Sequence, residues 1–194
     1  MKIGIFGGTF NPVHIGHAII ANYVIQHSGL DRLWMMVSPL NPFKVAQGEM
    51  YDTERLRMVE MVSHKLDNVE TSGFEFSMPR PSYTIDTLNA LQSKFPDHEF
   101  FLVIGADNWA AFDKWNRSEE ILAKYKILVY PRRGYEIDVP KQLESNVTVI
   151  EAPLVEVSST EIRKGISQLK NMSFYLPDDV YRFILKNKMY LHNE

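Results

Sequence analysis

The order of apolar and polar positions along the chain predicts strands that alternate with helices. Short apolar runs typical of strands occupy residues 2–6, 32–38, 99–104, 126–130 and 148–150. Apolar positions at helical spacing occupy residues 15–27, 53–64, 84–94, 118–123, 159–164 and 178–186. This alternation favours an α/β fold in which a parallel sheet carries helices on both faces.

Two of the runs are apolar without alternation, as expected for parallel strands that are covered on both sides. They are Leu102-Val103-Ile104 and Ile127-Leu128-Val129. The length of 194 residues predicts a single domain, residues 1–194, whose C-terminal part, residues 158–194, is helical. Open parallel sheets bind ligands beyond the carboxyl ends of their strands, so the loops that follow the strands are where a site is expected.

Composition narrows the classes of protein that fit. The net charge of −3 gives no basic field, so a nucleic-acid partner is not expected. The chain has 0 cysteines, which excludes disulfides and cysteine-based metal or redox chemistry. No apolar run reaches the ~18 residues of a membrane span, and the N-terminus enters a strand without a signal-peptide pattern. We therefore expect a cytoplasmic protein without a membrane partner.

The loop after the first predicted strand carries the strongest chemical signal. It reads GGTFNPVHIGH at residues 7–17 and leads into a helix. Gly7 and Gly8 would let a bulky anion approach the backbone, and His14 and His17 share one face of the helix start. A helix N-terminus attracts phosphate through its free N–H groups and its dipole. The loop therefore predicts a polyphosphate site.

Other readings of this loop are weaker. It lacks the G-x-G-x-x-G of dinucleotide-binding folds and the G-x-x-x-x-G-K-[ST] of P-loops. Two histidines three residues apart could ligate zinc, but no third ligand is evident nearby.

The loops after the next strands add candidate ligands. Residues 38–44 contain two prolines and end in Lys44, a cation able to neutralise charge that builds on a phosphate. Gly105 permits a close approach, and Asp107 could accept from ribose hydroxyls, hold a metal through water or cap a helix. Residues 130–134 contain Arg132 and Arg133, whose role, in nucleotide binding or on a basic surface turn, stays open.

Two predicted helix starts are further anion-binding candidates. At residues 80–88 a proline-rich turn leads into a helix at Thr84, which could receive an anion or act as an N-cap. At residues 157–163 a Ser-to-Glu capping box begins a helix that adds Ser159, Thr160 and Arg163. An ordinary capping box explains the serine and the glutamate, but not the extra hydroxyls and the arginine. Trp115 lies in a polar stretch, where an exposed indole could stack on a flat heterocycle.

Taken together, these segments resemble the HxGH nucleotidyltransferase superfamily and, within it, the family of bacterial nicotinate mononucleotide adenylyltransferases. The resemblance spans nearly the whole chain and rests on residues 7–17, 38–44, 80–88, 105–108, Trp115 and 158–163. The RPSYT segment at residues 80–84 and Trp115 look specific to this family. The resemblance implies a Rossmann-like, doubly wound sheet. It also implies transfer of AMP from ATP to nicotinate mononucleotide, which gives deamido-NAD and pyrophosphate in NAD biosynthesis.

The resemblance also implies roles for individual residues. Those expected to be catalytic are His14, His17 and Lys44. Those expected to bind ATP, beside the two histidines, are Gly7, Gly8, Thr9, Phe10, Gly105, Asp107, Ser159, Thr160 and Arg163. Those expected to bind nicotinate mononucleotide are Lys44, Tyr83, Thr84, Asp107 and Trp115. Mg²⁺ is expected to arrive on the triphosphate, without a metal site formed by the protein.

Two competing functions stay open at this point. The first is an adenylyltransferase for another substrate, such as phosphopantetheine, whose arm offers no planar carboxylated ring for residues 80–88 and Trp115. The second is a non-catalytic regulator that binds nucleotide. The sequence does not fix the oligomeric state, and a homodimer is an open alternative.

Overall fold

The computed structural model describes residues 1–39 and 50–191. Six strands form one sheet: β1 (Lys2–Gly8), β2 (Arg32–Val37), β3 (Val69–Ser72), β4 (Glu99–Gly105), β5 (Lys126–Tyr130) and β6 (Val147–Val149). Within these two ranges seven α-helices accompany them: α1 (Ile15–His27), α2 (Met50–Ser63), α3 (Thr84–Lys94), α4 (Ala106–Trp109), α5 (Ser118–Lys124), α6 (Ser159–Ser167) and α7 (Asp178–Lys186). The prediction for Lys44 lies outside the described residues.

The sheet has the strand order β3-β2-β1-β4-β5-β6, and every pairing is parallel. The central strand β1 pairs on both sides: Ile5 lies opposite Trp34 of β2 and opposite Leu102 of β4. The predicted doubly wound parallel sheet is confirmed. The sequence did not reveal β3, because this strand reads Val-Glu-Thr-Ser and only Val69 is buried. A short, polar edge strand leaves no apolar run to detect.

The two faces of the sheet bury separate cores, as alternating side chains require. On one face Phe6 and Val103 pack with α1, α2, α6 and α7, whose buried residues include Val24, Met58 and Ile162. On the other face the buried residues come from the opposite side of the strands and from α3 and α5, and they include Ile3, Ile5, Leu88, Leu102 and Ile121. The predicted placement of helices on both faces is therefore confirmed.

The C-terminal helices pack on the same face as α1. Val180 and Ile184 of α7 are fully buried in that core. Beyond α7, the hydroxyl of Tyr190 donates to Asn11 Oδ1 at 2.6 Å, which ties the end of the chain to the loop after β1. Within the part of the chain that the structure describes, no helix is long and apolar enough to cross a membrane.

The strand order reverses between β1 and β4, because the chain moves from β1 outward to β2 and β3 and then returns to the other side of β1. At such a switch point the loops that leave the two central strands diverge and open a crevice at their carboxyl ends. Here that crevice lies between Gly8 and Gly105, the last residues of β1 and β4.

Candidate active site

A cavity of about 240 Å³ opens at this switch point; we call it the inner cavity. Its lining includes Gly7, Gly8, Thr9, Ser38, Glu75, Thr84, Gly105, Asn108 and Trp115. It therefore joins the ends of β1, β2 and β4 to the first turn of α3. A Cβ added at Gly7 would meet nothing within 4 Å, so bare backbone here faces open space that a ligand can enter.

A second, more open cleft of about 650 Å³ lies beside it; we call it the outer cleft. Its lining includes Asp107, Arg132, Arg133, Glu156, Ser158, Thr160 and Glu161. The outer cleft thus joins the start of α4, the loop after β5 and the first turn of α6. Gly105 lines the inner cavity and Asp107 the outer cleft, so the two spaces meet at the end of β4.

The two histidines lie at the start of α1 and stack on each other, with ring centroids 3.7 Å apart. His14 is the N-cap residue, and its backbone N–H donates to Nδ1 of His17 at 3.2 Å. Because Nδ1 of His17 accepts this bond, the proton of a neutral ring is carried on Nε2, which can donate to a ligand. Nδ1 of His14 is buried and has no hydrogen-bond partner among the described residues.

Both histidines are held in the neutral form. Burial, followed by the charge of Arg132, lowers the pKa of His14 to about 4. Burial, followed by His14 and Arg132, holds the pKa of His17 well below its usual range. An anion placed beside them would oppose these effects, because a negative charge favours the protonated form.

The predicted ATP residue Phe10 has its side chain in the core. It is 2% exposed and packs edge-on against Phe6 and His17, with centroids 5.7 and 4.9 Å away. Its φ of 44° lies in the left-handed region, which a bulky residue rarely adopts. A ligand could therefore contact its backbone, while the ring supports His17 from behind.

The first turn of α6 is bonded to the loop after β1. Ser159 Oγ donates to the carbonyl of Pro12 at 2.9 Å, and Arg163 Nη1 donates to the carbonyl of Asn11 at 2.7 Å. Half of the predicted capping box is present, since Ser158 Oγ accepts from the N–H of Glu161 at 3.2 Å. The Glu161 carboxylate accepts from Ser158 Oγ at 3.0 Å and not from the backbone N–H of Ser158. These bonds bring two predicted phosphate sites together. Because Ser159 gives its only O–H to Pro12, its backbone N–H is the group left for a phosphate.

Gly105, Asp107 and Arg132 lie together where the inner cavity meets the outer cleft. A Cβ at Gly105 would lie 2.4 Å from Asp107 Oδ1 and 3.2 Å from Arg132 Cγ, so a side chain here would displace both. Arg132 Nε and Asp107 Oδ1 lie 3.7 Å apart. Neither atom has a hydrogen-bond partner within the described ranges. Both atoms are buried, but the side chains are 35% and 39% exposed and line the outer cleft, so their other polar atoms can meet a ligand there.

The first turn of α3 faces the inner cavity through Thr84. The N–H groups of Asp86 and Thr87 donate to the carbonyl of Tyr83, at 2.9 and 3.0 Å, and Tyr83 provides no side-chain cap. In the described structure the N–H groups of Thr84 and Ile85 have no protein acceptor, so they can bind an anion. The side chain of Tyr83 is 46% exposed and does not line the cavity.

Trp115 lines the inner cavity and leans on Phe112, with ring centroids 5.3 Å apart. The sequence hypothesis of an indole available for stacking agrees with this placement, because the ring is only half-buried.

Three residues of the site escaped sequence reasoning or were left open. Glu75 lines the inner cavity, where its Oε1 accepts from Thr87 Oγ1 at 2.9 Å. Arg55 lies behind the loop after β1 and is 0% exposed. Arg132, whose role the sequence left open, lies among the two histidines and Asp107, whereas Arg133 forms an ion pair with Glu156 at 2.6 Å. Arg55 sits in a helical stretch whose charged residues gave no sign that one of them is buried.

In the described part of the chain, no group of three or more His, Asp or Glu side chains is placed to hold a metal ion.

The lowered pKa values predict that stability depends on pH. Between the ordinary pKa of 6.5 and about 4, the unfolded chain binds a proton at His14 that the folded chain does not, and the same direction holds for His17. The contribution of the two neutral histidines to the free energy of unfolding is therefore fully present above about pH 6.5. It is lost as the pH falls, by up to about 1.4 kcal/mol per pH unit for each histidine. Urea unfolding of the wild type and of the His14→Gln/His17→Gln double variant between pH 7.5 and pH 5 measures this. The free energy of unfolding of the double variant should fall less steeply with decreasing pH than that of the wild type. Equal slopes would show that the fold does not hold the two histidines in the neutral form.

Comparison with known proteins identifies the family of this chain. The family model described as cytidylyltransferase-like matches residues 5–165. A relative from Bacteroides fragilis (strain YCH46) named "Probable nicotinate-nucleotide adenylyltransferase" is 46% identical over 185 residues, which cover 95% of this chain and 92% of the relative. One of the same name from Bacteroides thetaiotaomicron is 42% identical over 184 residues, covering 95% and 91%.

A solved structure shares the fold. Plasmodium falciparum nicotinic acid mononucleotide adenylyltransferase complexed with NaAD superposes with a TM-score of 0.79 at 17% identity, covering 99% of this chain and 98% of the other. The family model matches most of the chain, and the two bacterial relatives align over nearly all of it at 46% and 42% identity. This chain therefore belongs to the cytidylyltransferase-like family and, within it, to the nicotinate-nucleotide adenylyltransferases.

Proposed function

We propose that the protein transfers AMP from ATP to nicotinate mononucleotide, giving deamido-NAD and pyrophosphate for NAD biosynthesis in the cytoplasm. The observation that carries the proposal is the meeting of two spaces at the ends of β1 and β4. The inner cavity offers an aromatic ring and free helix N–H groups, and the outer cleft offers Arg132 and the first turn of α6. The fold places the histidine pair at the start of α1, beside the loop that leads from β1.

We assign the inner cavity to the mononucleotide. Its nicotinate ring stacks on Trp115, and its carboxylate accepts from the N–H groups of Thr84 and Ile85. The phosphate then lies toward Gly7 and Thr9, at the mouth of the cavity. The Glu75 carboxylate opposes a second negative charge in this cavity, so the helix N–H groups and dipole must outweigh it.

We assign the outer cleft to ATP. Asp107 accepts from a ribose hydroxyl, and the α-phosphate approaches the backbone of residues 7–10 beside His14 and His17. The β- and γ-phosphates take the N–H groups of Ser159 and Thr160, with the Thr160 hydroxyl and Arg163 at the same helix end. Mg²⁺ enters as part of the MgATP substrate and takes most of its ligands from the triphosphate oxygens and water.

The reaction needs neither a base nor a covalent intermediate, because the mononucleotide phosphate is already a nucleophile. One of its oxygens forms a bond to the α-phosphorus of ATP, and the bond from that phosphorus to the bridging oxygen of the β-phosphate breaks as pyrophosphate leaves. The protein therefore orients two anions and stabilises the charge that moves onto the leaving oxygen. Nε2–H of His17 and Arg132 can supply that stabilisation, and we assign Lys44 to the same task.

A substrate panel tests the function directly. The wild-type protein with MgATP should release pyrophosphate and form an equal amount of deamido-NAD with nicotinate mononucleotide, and much less product with nicotinamide mononucleotide. Phosphopantetheine is the control for the competing adenylyltransferase. If pyrophosphate were released with phosphopantetheine and with neither mononucleotide, the protein would be a phosphopantetheine adenylyltransferase. ATP binding without turnover of any pyridine mononucleotide would make the protein a regulator.

His17→Ala is expected to lower kcat far more than it weakens ATP binding, because its hydrogen bond matters most as charge develops in the transition state. A loss of about 10²–10³ is the scale for one such donor. His27→Ala is the matched control, since His27 lies in the last turn of the same helix and stacks on Tyr23. Steady-state kinetics with calorimetric ATP titration measure both variants. A His17→Ala protein with normal kcat would remove His17 from the mechanism.

Discrimination between acid and amide is expected to lie in the first turn of α3. A carboxylate accepts only, whereas an amide presents donors that would leave a helix N–H unpaired, at about 1–3 kcal/mol. Thr84→Pro removes one such N–H at a helix position that tolerates proline, and Tyr83 already has the extended backbone that a following proline requires. This variant should narrow the gap in kcat/KM between the two mononucleotides.

Trp115→Ala is the comparison for that experiment. It should raise KM for both mononucleotides about equally, because both rings are planar and stack alike. If Trp115→Ala erased the discrimination while Thr84→Pro kept it, the two roles would have to be exchanged.

A further inference from the structure

A buried arginine ties together the loops that form the wall of the inner cavity. Arg55 lies in the second turn of α2, and its side chain is 0% exposed. Nη1 donates to the carbonyl of Thr9 and, at 2.8 Å, to that of Ser38. Thr9 and Ser38 line the inner cavity, whereas Arg55 does not, so Arg55 holds both loops from behind.

The charge of Arg55 is balanced by Asp52, one turn earlier on the same helix. Nη2 of Arg55 pairs with Oδ1 of Asp52, whose side chain is 12% exposed. A cation without contact to water is costly unless it is paired and hydrogen-bonded. Here one carboxylate and two carbonyls accept from Nη1 and Nη2, while the buried Nε has no acceptor among the described residues. The planar guanidinium reaches all three in one orientation, which a point charge could not do.

The same carboxylate reaches a third segment of the site. Oδ2 of Asp52 accepts from Nη2 of Arg80 at 3.4 Å. Arg80 begins the turn that leads into α3 and its free N–H groups at Thr84 and Ile85. Three segments that approach the inner cavity, after β1, after β2 and before α3, are therefore linked through Asp52 and Arg55.

We propose that Arg55, fixed by Asp52, is a positioning residue that sets where the backbone of Thr9 and Ser38 lies relative to the reacting phosphates. The proposal rests on the proposed function for its kinetic consequences. Neither side chain touches substrate. Their effect comes from geometry, because a displacement of about 1 Å in such a site can cost on the order of 10²-fold in rate.

The test separates two roles of Arg55, the placement of the Thr9 and Ser38 backbone and the balance of charge with Asp52. Arg55→Lys keeps the positive charge beside Asp52 but cannot bond the carboxylate and both carbonyls at once. We expect this variant to fold with a melting temperature lowered by a few degrees, because a carbonyl loses its donor. It should keep KM for ATP within about threefold and lose on the order of 10–10²-fold in kcat. If Arg55→Lys keeps the wild-type kcat, Arg55 serves only charge balance and the proposal is wrong.

Met58→Ala is the matched control, because Met58 is also fully buried on α2 and packs in the core without a polar bond to either loop. It should lower the melting temperature and leave kcat within about twofold at temperatures where it is fully folded. An equal loss of kcat in Met58→Ala would mean that any weakening of α2 impairs the site, which would overturn a specific role for Arg55. Should Arg55→Lys fail to fold, the Arg55→Met/Asp52→Asn pair removes both charges together and takes its place.

The link to Arg80 has its own variant. Arg80→Gln removes the ion pair with Asp52 Oδ2 and leaves the Asp52–Arg55 pair in place, which should release the turn before α3. Arg80 is 36% exposed, so the expected effect is a rise in KM for nicotinate mononucleotide of about two- to fivefold, with a smaller change for ATP. An unchanged KM for the mononucleotide would remove Arg80 from the linked set.

A measurement without substrate keeps this proposal separate from the proposed function. Hydrogen exchange should become faster across residues 7–14 in Arg55→Lys and stay near the wild-type rate there in Met58→Ala. If the wild type makes no deamido-NAD, the proposed function fails and the exchange result alone decides the role of Arg55. If the wild type is active and neither kcat nor exchange changes in Arg55→Lys, the positioning role fails.

Discussion

The site depends on one constraint, the parallel pairing of β1 with β2 on one side and β4 on the other. Parallel strands end at the same edge of a sheet, so every loop that leaves a strand here begins at the same edge. Because the order reverses between β1 and β4, two of those loops diverge and leave open space. The glycines at the strand ends keep that space free of side chains. Bonds from Arg163 and Ser159 to Asn11 and Pro12 then bring α6 to the same edge.

Several groups at this edge of the sheet favour a bound anion. Two neutral histidines, the Arg132 guanidinium and the open first turns of α3 and α6 all favour a negatively charged ligand. The carboxylates that line the two spaces are Glu75 in the inner cavity and Asp107, Glu156 and Glu161 in the outer cleft. Of these, Asp107 lies 3.7 Å from Arg132, and Glu156 forms an ion pair with Arg133. Binding two phosphate-bearing substrates would complete this arrangement. That is consistent with a reaction in which charge moves between phosphates and no side chain forms a bond.

The sequence predicted the parts of the fold that bury apolar runs and the parts of the site that stand in motifs. β4 and β5 were visible because both of their faces are buried, and the start of α1 was visible because its glycines and histidines have few other uses. β3 was missed because an edge strand of four residues needs few apolar side chains. Arg55 was missed because nothing in a helix of mixed charge marks which arginine turns inward. That choice depends on carbonyls at Thr9 and Ser38, which only the folded chain brings near it.

The central claim is that the two substrates lie in separate spaces that meet beside the histidine pair, and a crystal structure with deamido-NAD bound tests it most directly. We expect the nicotinate ring against Trp115, with its carboxylate at the N–H groups of Thr84 and Ile85. The adenosine should lie in the outer cleft near Asp107, and the pyrophosphate bridge between Thr9 and His17. A product molecule with both nucleosides in one space, or with its pyrophosphate remote from His17, would contradict the account.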